Sequence, residues 1–258
     1  MCRVQPGAAS RRTVGCIVIL LVNSVLLAGS ARNANAQSMN FSPTARANPT
    51  VSVRELRIPA KARDEFARGL EKLRKHDAAA SLSHFDAAIQ KYPGYYEVYY
   101  HEGIAKLALR KNEEASQDFQ KALELSEGRY ARADFGYGLA LVREGKYQEA
   151  EGVVRRGLEI DSNIPDGHLV LGYVLLNLKR LDEAESCARE ALRFDTLEAT
   201  KGYLVLADIH AERHDYAAQV QDIEMYLKSH SDSPHKQFLE MARNFAKKNA
   251  LDIDSAQR

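Results

Sequence analysis

The chain has 258 residues, 45% hydrophobic and 28% charged with only 7 Pro, so its composition is that of an ordinary globular protein and excludes collagen-like or disordered chains. Formal net charge is +1. That balance argues against a nucleic-acid partner, whose phosphates call for a clustered basic surface.

The first 36 residues read as an export signal. A basic stretch ending in Arg11-Arg12 precedes an apolar run from Val14 to Ala28, and Ala34-Asn35-Ala36 offers small residues at cleavage-type positions. Cleavage after Ala36 would release a chain beginning at Gln37 into the periplasm or the extracellular space. The run falls short of the ~20 residues of a membrane span and is interrupted by Asn23 and Ser24. Left uncleaved, this signal would be the chain's one link to a membrane. Ser30 stands where a lipoprotein signal needs Cys, and Thr13-Val14 do not continue a twin-arginine pattern. Cys2 and Cys16 lie within the signal, which leaves Cys187 as the single thiol of the released chain and rules out an internal disulfide there. Its neighbours Ala184, Ala188 and Ala191 point to burial.

Residues 37–59 form a linker and arm. Gln37 to Thr50 is rich in Ser, Asn, Pro and Ala, and Val51, Val53, Leu56 and Ile58 suit an extended arm on the first hairpin. Pro59 then opens the first helix, where a missing N–H costs nothing.

From residue 60 to 233 a fixed period dominates. Small residues recur at Gly69, Gly103, Gly138, Gly172 and Ala207, spaced by 34, 35, 34 and 35. Twelve residues after each come Ser81, Ala115, Ala150, Ala184 and Gln219; four later Phe85, Phe119, Val154, Ala188 and Ile223; three beyond those Ala88, Ala122, Gly157, Ala191 and Tyr226. A mid-helix Gly costs about 1 kcal/mol against Ala, so four at one register imply a packing reason: antiparallel helices meet closely where one side chain is small. His76-Asp77, Lys111-Asn112, Gly145-Lys146, Lys179-Arg180 and His214-Asp215 supply the turns within each pair. Pro93-Gly94, Gly128, Asn163 to Pro165 and the Asp195-Thr196 region separate the pairs. After residue 60 nothing alternates as a strand.

Ala115-x-x-x-Phe119, Leu171-Gly172 and Pro93 resemble the consensus of the tetratricopeptide repeat family over residues 62–233. The absence of Trp, Lys72 and Lys106 at a position often held by Tyr, and Glu127, Ser162 and Thr196 in place of the closing Pro depart from it. The resemblance implies an all-α fold, a right-handed superhelical solenoid of about five antiparallel helix-turn-helix repeats. A C-terminal helix over 234–250 would cap it, with Phe238, Met241, Ala242 and Phe245 on its apolar face, and residues 251–258 would be a fraying tail.

Such repeats bind protein segments on the face lined by first helices. Positions three before and one after the small residue are the candidate lining: Phe66, Leu70, Tyr100, Ile104, Phe135, Leu139, Leu169, Tyr173, Leu204 and Asp208, edged by Arg74, Arg143 and Glu212. The expected partner is an extended or amphipathic protein segment. Individual members, Leu169 and Leu204 above all, equally suit packing between hairpins. A carboxylate-gripping Lys is missing from this register, which argues against docking of a partner's C-terminus.

No catalytic or cofactor motif stands out. In His210-Ala211-Glu212-Arg213-His214 the Glu is one residue away from the zinc-protease spacing, and His214 falls in a turn, so a surface pair is the simpler reading. His84 and His101 lack neighbours for acid-base work and read as surface residues. Tyr95-Tyr96 and Tyr99-Tyr100 suit interhelical packing better than base stacking. The sequence therefore points to a non-enzymatic adapter of the cell envelope. An exported enzyme on a repeat scaffold, or a self-assembling structural protein joined by its end faces or Cys187, remain as alternatives.

Overall fold

The computed structural model describes residues 58–256 except Pro234, and within them every regular element is helical. The export signal and nearly all of the 37–59 arm lie outside the described residues; of the arm, Ile58 is buried and Pro59 caps the first helix.

Two compact units divide the chain at residues 162 and 163. The first holds α1 (Ala60–Arg74), α2 (Ala78–Lys91), α3 (Tyr96–Ala108), α4 (Asn112–Leu125), α5 (Ala131–Arg143) and α6 (Tyr147–Ile160). These pair as α1·α2, α3·α4 and α5·α6, and α2·α3 and α4·α5 join successive hairpins. The second holds α7 (Pro165–Asn177), α8 (Leu181–Leu192), a 3-10 turn (Ala199–Lys201), α9 (Gly202–Glu212), α10 (Tyr216–Ser229) and α11 (Lys236–Ala256). Here α7·α8 and α9·α10 form the hairpins, α8·α9 joins them, and α11 lies on α10.

One turn geometry closes all five hairpins. The seventh residue after each small position, His76, Arg110, Gly145, Lys179 or His214, has φ between 59° and 77°, in the left-handed region. The next N–H then reaches back to the carbonyl five residues earlier, as in Asp77 to Lys72 at 3.0 Å and Lys111 to Lys106 at 2.9 Å. In the first and fifth hairpins the side chain of that same residue also caps the following helix: Asp77 accepts from the Ala80 N–H and Asp215 from the Ala218 N–H.

The recurring small residues lie where the helices cross, and all five are buried. Phe119 shows why. Its ring lies between α3 and α5, so that a Cβ on Gly103 would sit 2.8 Å from it and one on Gly136 would overlap it. Gly136 is a second contact that the repeat register does not mark. In the second unit Gly172 brings α7 to the backbone of α8, a Cβ there lying 3.3 Å from the Ala184 carbonyl oxygen.

The C-terminal helix corrects the expected capping face. Leu239, Ala242 and Ala246 are buried, whereas Phe238 and Met241 are 51% and 61% exposed and Phe245 is half-buried. The helix also continues to Ala256 instead of fraying beyond residue 250, because no Gly or Pro interrupts it.

Candidate protein-binding surface

The first helices position the residues expected to line a trough. In the first unit Phe66 and Leu70 are half-buried, while Tyr100, Ile104, Phe135 and Leu139 are buried. In the second, Leu169, Tyr173, Leu204 and Asp208 are buried as well. An open aromatic lining is thereby corrected, and the ring contacts give the reason. Phe66 packs 5.0 Å from Tyr95 at the start of the next hairpin and 5.4 Å from His101. Tyr100 lies 5.9 Å from Phe119 of its own hairpin and 5.4 Å from Tyr130 of the next. Three residues before the small position, a ring wedges between successive hairpins. Phe135 instead turns to Gly157 of α6, where a Cβ would lie 2.6 Å from the ring.

The polar edge is partly engaged. Arg74 is exposed, the Arg143 guanidinium donates to the Leu107 carbonyl at 2.8 Å, and Glu212 accepts from Lys179 at 2.7 Å. Asp208 differs from every other member of the register: it is 2% exposed and neither carboxylate oxygen has a hydrogen-bond partner. Burial, with the Glu212 charge adding to it, pushes its pKa well above the usual carboxylate range.

The histidines are less exposed than the sequence suggests. His101 is buried among the rings of Phe66, Phe85 and Tyr100, and burial, followed by the Arg132 charge, lowers its pKa to about 3. His84 pairs with Glu65 at 2.9 Å. His210 lies 2.6 Å from Asp222 of α10, and His214, in its left-handed turn, lies 3.2 Å from the Tyr216 hydroxyl, so the two do not act as one pair. Among the described residues no group of three or more His, Cys, Asp or Glu is placed to hold a metal ion, and no helix is long and apolar enough to cross a membrane. Tyr95 and Tyr96 go to packing, Tyr96 lying 5.0 Å from Tyr130. Cys187 is half-buried rather than buried, its Cβ 3.5 Å from where one would stand on Gly172.

Sequence reasoning missed the buried ion pairs within hairpins. Lys106 of α3 bridges Glu102 and Asp118, each at 2.7 Å, and Asp134 of α5 accepts from Arg156 Nε of α6 at 2.9 Å. A signal was present: Lys106 and Asp118 are twelve residues apart, and so are His210 and Asp222, at the same two places of their hairpins.

Comparison with known proteins agrees with this architecture. The model of the tetratricopeptide repeat matches residues 66–128, 100–165 and 169–234. The chicken protein "DnaJ homolog subfamily C member 3" is 33% identical over 97 residues, which is 38% of this chain and only 19% of that protein. A thermophilic TPR protein of Thermus thermophilus superposes with a TM-score of 0.63 at 17% identity, covering 72% of this chain and 98% of that one. PilW, described as a widely conserved type IV pilus biogenesis factor, gives 0.63 at 15% identity over 75% of this chain and 89% of its own. At these identities the structural likeness speaks for the fold. With the family model matched over more than half its length, the chain belongs to the tetratricopeptide repeat family.

Proposed function

We propose that the chain is a non-catalytic scaffold of the cell envelope, exported by its first 36 residues, that holds extended or amphipathic protein segments on its first-helix faces. The observation that supports this reading is the set of five hairpins repeating in phase within the tetratricopeptide repeat family, whose first helices we assign to one shared binding face. The buried rings of that face serve as a rigid floor, and half-buried Phe66 and Leu70 with Arg74 and Arg143 supply what a partner would touch.

A photo-crosslinking residue placed at Leu70 in intact cells, with one at exposed Gln117 of α4 as control, tests it. The expected result is capture of one or a few identified envelope proteins from position 70 and none from 117. Equal capture from both positions, or none from either, rejects the assignment of the face.

A further inference from the structure

Helix α11 stands in the register of a first helix. Ala242 follows Ala207 by 35 residues, the interval that also separates Gly103 from Gly138, and it is buried like the other small residues. In the complete hairpins, the positions four before the small residue and three after it turn toward the second helix of the same hairpin, and Tyr137, one before it, reaches Glu149 of that helix as well as Gln120 of the preceding hairpin. Glu65 thus meets His84, Asp134 meets Arg156, Lys106 meets Asp118 and His210 meets Asp222. Where these positions are aliphatic they are covered: Leu141, Leu171, Leu175 and Leu206 are each at most 4% exposed.

On α11 the three positions are Phe238, Met241 and Phe245; among the described residues nothing comparable covers the first two, 51% and 61% exposed, and Phe245 is half-buried. The left-handed turn would fall at Asn249, but α11 continues as helix through it to Ala256, so the described residues form no second helix there. Alone among the six registers, this one is apolar at all three places.

We propose that α11 is half of a hairpin whose second helix is donated in trans, by an amphipathic α-helix of a partner protein lying antiparallel against Phe238, Met241 and Phe245. The occupant follows from the interface it continues. In the first three hairpins the second helix presents a bulky residue to the small position of its first helix, Phe85 to Gly69, Phe119 to Gly103 and Val154 to Gly138, and Ala242 holds the corresponding place on α11. The partner helix is therefore expected to carry a bulky apolar residue flanked by small ones, with acidic residues near exposed Lys248. A second copy of α11 is the poorer fit: it sets Phe and Met against Phe and Met without the small residue opposite that the crossings of this chain use.

The test uses the full chain and a fluorescent, stapled helical peptide with the sequence of α6, Tyr147–Ile160, whose Ala150, Val154 and Gly157 carry the second-helix pattern. Saturable binding is expected, weakened about tenfold or more by Met241→Glu, which places a charge in the contact. Because Met241 is largely exposed, that variant keeps the helicity of the parent chain, as circular dichroism will show. Absence of saturable binding, or binding that Met241→Glu leaves unchanged, overturns the proposal. So does self-association in sedimentation that Met241→Glu abolishes, since the occupant would then be a second copy. Crosslinking from Leu70 reports on the first-helix face independently, so either idea can fail without the other.

Discussion

The Lys106 ammonium lies 2.7 Å from an Asp118 oxygen and equally close to Glu102, so one cation serves two carboxylates across the α3·α4 hairpin. All three side chains are at most 14% exposed. Burial outweighs the attraction of Lys106 and pushes Asp118 up to about 7, and it raises Glu102 as well. A carboxyl whose pKa is higher folded than unfolded binds its proton more tightly in the native state. Its contribution is therefore full below about pH 4 and is lost as pH rises to about 7. Asp118→Asn removes that dependence. The stability of the parent chain relative to the variant, from urea midpoints, should fall between pH 4.5 and pH 7.5 and level off above; a difference that grows across this window contradicts the burial argument.

The hairpin turns offer a stabilising change. Arg110 and Lys179 both have φ of 61°, a region where a Cβ crowds the following carbonyl at about 1–2 kcal/mol. Glycine relieves that strain but gains freedom in the unfolded chain, which returns part of the gain. Arg110→Gly and Lys179→Gly should each raise stability by roughly 0.5–1 kcal/mol, whereas Gly145→Ala, at φ of 77°, should lower it by a similar amount. Thermal unfolding of the three variants checks the sign in both directions.

The same turns show how far the fold was legible in the sequence. Their places were readable because five in-phase small residues fix the register, even though only Gly145 announces its backbone conformation by residue type. Phe238 and Met241 were misread because apolar spacing cannot say which side of a wide apolar arc meets a neighbour. Leu239 and Ala246 decide that side through their contact with α10, a tertiary fact. The trough residues failed for a related reason. Spacing placed Phe66 and Tyr100 on the first helices, but their burial depends on Tyr95 and Tyr130 arriving from the next hairpin.

Phe119 tests the packing rule. Its ring fills the space that Gly103 and Gly136 leave open, so Gly136→Ala forces a buried ring or a helix to move, costing about 1–3 kcal/mol. Phe119→Ala leaves the opposite defect, a cavity between helices worth about 3–5 kcal/mol. If the two residues share one contact, Gly136→Ala should cost far less once Phe119 is already Ala. A double-mutant cycle by urea denaturation with additive effects would mean that the glycine serves some other purpose.

Asp208 is where the register departs from apolar packing without an evident return in stability. The same position holds Ile104, Leu139 and Tyr173 in the preceding units, each buried, while Asp208 buries two carboxylate oxygens that nothing hydrogen-bonds. An unpaired buried carboxyl is unfavourable whether it stays charged or takes up a proton to become neutral. Asp208→Leu should therefore stabilise the chain by about 1–3 kcal/mol near neutral pH. Because burial holds this pKa far above its unfolded value, the parent chain loses stability as pH rises past the unfolded value, and the advantage of the variant should widen from pH 4 toward pH 8. Urea titrations at both ends of that range decide the matter. A variant less stable than the parent at both ends of that range contradicts the argument that the unpaired carboxyl is unfavourable.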